Sequence, residues 1–199
     1  MGKRHDSPAM NRAVFLDRDG VLNPPIVREG RPYPPQTPAE FRLYPEAPEA
    51  CALLRHAGFL LVIVTNQPDI GRGTQSIEVI EAMHQRLQQA IPMDRIEICT
   101  AADDRAPDAR RRKPAPGMVL DAAAALSIDL TRSYLIGDRW RDIDCGHAAG
   151  CTTLFIERGY IEKLRQPPHH RVSNLLEAAQ LILTLAPPPP PVQLLHSSL

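Results

Sequence analysis

Apolar positions in this chain come in two patterns, short unbroken runs and stretches with helical spacing, and the two alternate. The clearest runs are AVFL at 13–16 and FLLVIV at 59–64. Runs of this length, free of charge, read as buried strands, most readily central strands of a parallel sheet. Five strands are predicted, at 12–16, 59–64, 95–100, 134–136 and 152–156. Between them lie helical patterns. Residues 46–57 place Ala50, Leu53, Leu54 and Ala57 on one face, with Gly58 as the stop. Residues 76–90 do the same with Ile77, Ile80, Met83 and Leu87. Residues 116–126 start at a proline and continue in strong helix formers. Shorter helices are predicted at 142–149, closed by Gly150, and at 174–185, capped by Asn174.

Strands alternating with helices predict an α/β fold, a parallel sheet covered by helices on both faces. Residues 12–186 read as one domain. Residues 1–11 read as a flexible N-terminal tail. Residues 187–199 open on five prolines and read as a proline-rich disordered tail. Residues 24–48 hold eight prolines and no period. They read as a long stiff loop, placed to wall a site at the end of the first strand.

Composition narrows the function classes. Lys plus Arg and Asp plus Glu are 23 each, so net charge gives no case for a nucleic-acid or membrane partner. Four scattered cysteines without a CxxC pair fit a reducing compartment. No apolar run reaches the ~18 residues a membrane span needs. No apolar segment follows the basic N-terminus. A soluble, cytoplasmic protein is expected, as a monomer or weak homodimer.

The candidate chemistry sits where strands end. Asp17 and Asp19 follow the first apolar run, and Gly20 allows a sharp turn. Open α/β sheets bind ligands at the carboxyl ends of their strands. Two acids beside a core need compensation, which a hard divalent cation and a phosphate beyond it would supply. Thr65 ends the second strand and Asp138 the fourth. Lys113 precedes Pro114, which biases it toward an extended conformation at a helix N-terminus, itself an anion site.

The ordered segments DRDGVLN, VIVTNQPDIGRG, RKPAPGM and GDRWRDI resemble the haloacid dehalogenase (HAD) phosphatase superfamily. They are closest to the branch containing D-glycero-D-manno-heptose-1,7-bisphosphate phosphatase and histidinol-phosphate phosphatase. The resemblance covers roughly residues 12–160. It implies a Rossmann-like three-layer sandwich with strand order 5-4-1-2-3. It also implies roles. Asp17 would be the nucleophile and Asp19 the general acid and base. Thr65 and Lys113 would hold phosphoryl oxygens. Asp138 would complete a Mg²⁺ site with Asp17 and the Asp19 carbonyl. Asn66, Gln67, Arg112 and Arg139 map to substrate-binding positions, and Asp142 to a group orienting Lys113 or metal-bound water.

One departure matters. The branch commonly carries a structural zinc held by a C-x-H…C-x-C pattern. Here Cys99 keeps the first position, but Ala101, Ala109 and Arg111 stand at the others. One thiolate cannot hold a closed zinc site, so no zinc and a looser loop 101–111 are expected. Cys145, His147 and Cys151 do not converge either, because helical neighbours two apart diverge. Neither insertion point leaves room for a separate cap domain. The substrate expected is a small phosphorylated metabolite, above all a sugar (bis)phosphate. Histidinol phosphate, a polynucleotide 3′-phosphate end, and a silent binding module on the same fold stay as alternatives.

Overall fold

The computed structural model of the chain describes residues 10–186. β1 (Ala13–Leu16) leads into a hairpin of β2 (Ile26–Arg28) and β3 (Arg31–Tyr33), then α1 (Ala47–His56) and β4 (Leu60–Asn66). A single turn, α2 (Pro68–Gly71), precedes α3 (Ile77–Ala90) and β5 (Arg95–Cys99). Next come α4 (Gly117–Leu126), β6 (Tyr134–Gly137), α5 (Trp140–Ala149), β7 (Thr152–Ile156), β8 (His170–Val172) and α6 (Leu175–Leu185). The main sheet runs β5-β4-β1-β6-β7-β8, with every pair parallel. Its first five strands stand in the expected order.

Period-two alternation in β1 divides the core. Val14 and Leu16 face one layer, with Leu54 of α1, Met83 and Leu87 of α3 and Ile182 of α6. Ala13 and Phe15 face the other, with Met118 and Ala122 of α4 and Cys145 and Ala149 of α5. Both layers are fully buried at the sheet, which fixes where the strand ends point.

Several expectations are corrected. The edge strand β8 was not foreseen, since HRV is too short to carry a period. The proline-rich segment is not a featureless loop. It holds a hairpin whose turn residues Glu29 and Gly30 both have positive φ (49° and 70°), the conformation that suits a two-residue β-turn. β4 extends two residues further, so Thr65 and Asn66 pair in the sheet with Ile98 and Cys99. α5 begins a half-turn early, because the Asp142 carboxylate accepts the Arg139 backbone N–H at 3.0 Å and caps it.

Asn11, the last residue of the expected N-terminal tail, is joined to the domain. Asn11 donates to Ser127 O at 2.8 Å and accepts from Asp129 N at 2.8 Å. The expectations for residues 1–9 and 187–199 lie outside the described residues. Among those described, no helix is long and apolar enough to cross a membrane.

Candidate active site

Parallel strands deliver Asp17, Thr65 and Asp138 to one edge of the sheet. Asp17 is the residue after β1, and its N–H donates to Ile136 O of β6 at 3.0 Å. Gly20 then turns the chain at φ 99°, and a Cβ there would lie 1.7 Å from Asp138 Oδ2. Only glycine lets the β1 turn approach the β6 acid this closely.

Lys113 reaches the cluster from the α4 side. Its buried Nζ lies 2.8 Å from Asp17 Oδ1, 2.6 Å from Asp142 Oδ1 and 2.8 Å from Val64 O. One hydrogen bond to a carbonyl and two close ion pairs hold the ammonium in place. Its backbone is fixed as well. Asn66 Nδ2 donates to Lys113 O and Lys113 N donates to Asn66 Oδ1, both at 3.0 Å. Asn66 therefore holds Lys113 while lining the cavity.

Asp19 sits in a different environment from Asp17. Its carboxylate accepts from Arg18 Nη2 at 2.8 Å, Asn23 Nδ2 at 2.9 Å and Gln67 Nε2 at 3.0 Å. Burial pushes its pKa up, but the Arg18 charge and these hydrogen bonds outweigh that and hold it below the usual value. Arg18 is itself fully buried. Its Nη1 lies 3.3 Å from His84 Nε2, and burial together with the Arg18 charge pushes His84 down to about 4. A neutral His84 accepts at Nε2.

Gln67, one residue past β4, is buried and donates to Thr65 Oγ1 at 2.9 Å as well as to Asp19, so its amide joins those two side chains. Asp19, Thr65, Arg112, Lys113 and Arg139 all line the cavity of about 620 Å³ with Asp17. Arg112 is held by Ala101 O at 2.8 Å, and Arg139 pairs bidentately with Glu162. Sequence reasoning missed Arg31, Arg72, Arg141 and Glu162 in the same wall. Arg72 and Glu162 come from loops without period, Arg31 from the short strand β3, and only the run GDRWRD hinted at Arg141 in α5.

The acids do not balance. Asp17, Asp138 and Asp142 each offer an oxygen within 4.8 Å of the others, and all three are buried. Lys113 answers Asp17 and Asp142. Among the described residues, neither Asp138 oxygen stands in full hydrogen-bond geometry with a donor, although the Tyr160 hydroxyl is close enough to act on it. Burial, then the charges of Asp17 and Asp142, push its pKa well above the ordinary value. Burial also pushes Asp17 up to about 6 against the pull of Lys113. Two hard carboxylates, one without a full hydrogen bond, suit a small divalent cation.

The segment 101–111 is anchored at its end, where Arg111 pairs with Glu97 and Asp108 and its Nε lies 3.0 Å from Asp121 Oδ2.

The comparisons with known proteins fit this geometry. A family model described as "HAD-hyrolase-like" matches residues 110–178. The D-glycero-D-manno-heptose-1,7-bisphosphate 7-phosphatase of Chlorobaculum tepidum is 34% identical over 169 residues, covering 76% of this chain and 81% of that protein. This chain belongs to the HAD phosphatases. The Thermosynechococcus vestitus protein of the same name is 30% identical over 176 residues, covering 81% of this chain and 87% of its own. Among solved HAD structures, D,D-heptose 1,7-bisphosphate phosphatase from B. bronchiseptica, complexed with magnesium and phosphate, has a TM-score of 0.76 at 26% identity. That likeness covers 88% of this chain and 99% of that one. As a HAD phosphatase, the chain is a phosphoric monoester hydrolase.

Proposed function

We propose that this HAD phosphatase is a Mg²⁺-dependent hydrolase of a small sugar bisphosphate such as D-glycero-D-manno-heptose 1,7-bisphosphate. The reading is carried by the two Asp138 oxygens beside Asp17, neither in full hydrogen-bond geometry with a donor among the described residues. Asp17, Asp138 and the Asp19 carbonyl would hold Mg²⁺. When bound, the ion would offset the repulsion between a carboxylate and a phosphate dianion, several kcal/mol at ~4 Å and intermediate dielectric.

The chain's own residues do the rest. The Asp17 oxygen not engaged by Lys113 attacks phosphorus and forms an aspartyl-phosphate. Lys113 and Thr65 hold the equatorial oxygens, by charge and by hydrogen bond. Asp19 gives a proton to the leaving oxygen and then takes one from the hydrolytic water. Its three donors keep it a carboxylate before substrate arrives, so the proton must come in with the substrate's own charge or from solvent.

The printed names of the relatives support the sugar bisphosphate. So does the wall. Arg31, Arg72, Arg112, Lys113, Arg139 and Arg141 outnumber Asp17, Asp19, Asp69 and Glu162 around the cavity, and the surplus suits a second anionic group. No separate structural zinc is required, since ion pairs already tie the 101–111 segment. The test is phosphate release from heptose 1,7-bisphosphate, sugar monophosphates, histidinol phosphate and 3′-phosphorylated oligonucleotides. The bisphosphate should lead with an absolute need for Mg²⁺. Turnover confined to oligonucleotide ends, or none from any phosphoester, would overturn the reading.

A further inference from the structure

The segment between β7 and β8 crosses the site beside Asp138 and has no part in the chemistry above. Arg158 Nε donates to Gly20 O at 2.9 Å, the carbonyl of the turn that packs on Asp138. The Arg158 guanidinium also stacks on Tyr44, 4.2 Å from the ring centre. Two residues on, the Tyr160 hydroxyl lies close enough to Asp138 to act on it as a donor, without reaching full hydrogen-bond geometry. Ile161 N then donates to Gly30 O at 3.2 Å, joining the segment to the hairpin. The Tyr160 hydroxyl and Arg158 Nη2 are buried, and among the described residues neither has a partner in full hydrogen-bond geometry. Nor has either oxygen of Asp138. Four buried polar atoms from two neighbouring loops are thus left open around one carboxylate, where orphaned groups of this kind are costly.

We infer that Tyr160 is a positioning residue for the metal ligand Asp138, donating its hydroxyl to one carboxylate oxygen while the other faces the cation, with Arg158 holding the Gly20 turn against the pair. The inference rests on the magnesium reading above and assigns it a supporting shell from a different element. Ligating carboxylates are normally held by such outer hydrogen bonds, and losing one costs about 10–100-fold in metal affinity. A hydroxyl short of a full hydrogen bond in the metal-free chain costs little to remove.

The experiment is calorimetric titration of Mg²⁺ into the full chain, as wild type and as Tyr160→Phe, together with the metal-free melting temperature of each. Tyr160→Phe is expected to bind Mg²⁺ about tenfold more weakly with an unchanged metal-free melting temperature. It should keep its KM for substrate at saturating Mg²⁺. Arg158→Met, read by the same titration, should also weaken binding. Equal Mg²⁺ affinity in wild type and Tyr160→Phe overturns the inference and leaves the phosphatase reading intact. A wild type that takes up no Mg²⁺ overturns both. A drop in melting temperature without a drop in Mg²⁺ affinity assigns Tyr160 to structure alone and also overturns it.

Discussion

Two clusters of charge in this fold are built on opposite plans. In the first, Glu97 and Asp121 meet Arg95, Arg110 and Arg111, so every acid has a guanidinium partner. In the second, one lysine serves two of three buried carboxylates, and among the described residues neither Asp138 oxygen is in full hydrogen-bond geometry with a donor. A closed cluster holds the chain together; an unbalanced buried one is stable only if something else brings the missing charge. The difference separates scaffold from site without reference to any relative.

Substitutions should therefore behave differently in the two clusters. The largest effect is expected from Asp17→Asn, which removes the nucleophile: phosphate release should fall at least ~10³-fold, with the fold retained by circular dichroism. Asp142→Asn leaves Lys113 less firmly placed. Its kcat should fall about 10²-fold, with a smaller change in melting temperature. Gly20→Ala meets both a positive φ and the Asp138 carboxylate. It should cost about 1–3 kcal/mol in urea unfolding and most of the Mg²⁺-dependent activity.

His84 gives a pH signature from the balanced side of Asp19. Its folded pKa is depressed from 6.5 to about 4, so the unfolded chain takes up the proton first as pH falls. The stability it contributes is present above about pH 6.5 and is lost as pH drops toward 4, up to ~2–3 kcal/mol. His84→Gln should flatten that part of the stability–pH curve. The smallest catalytic effect belongs to Arg111→Ala, which should lower stability by about 1–2 kcal/mol, since the arginine is partly exposed, and barely change kcat.

The sequence carried the sheet because AVFL and FLLVIV leave no other place for themselves than its centre. The same runs located Asp17 and Thr65, since a central strand must end at the ligand edge. The hairpin at 26–33 was not legible, because three-residue strands containing a proline show no alternation. Nor was it legible that the Gln67 amide donates to both Thr65 and Asp19, a pairing set by the turn after β4. Arg31 reaches the cavity from a three-residue hairpin strand and Glu162 from a loop, where position follows from packing against distant segments rather than from local pattern. Tyr160 is of that kind too.

The central claim is that the uncompensated charge at the strand ends is completed by a divalent cation beside Asp17. Calorimetric titration of Mg²⁺ into wild type and Asp138→Asn, without substrate, addresses it directly. Wild type should take up one ion per chain, and the variant none over the same concentrations. Equal uptake by both proteins would contradict the account.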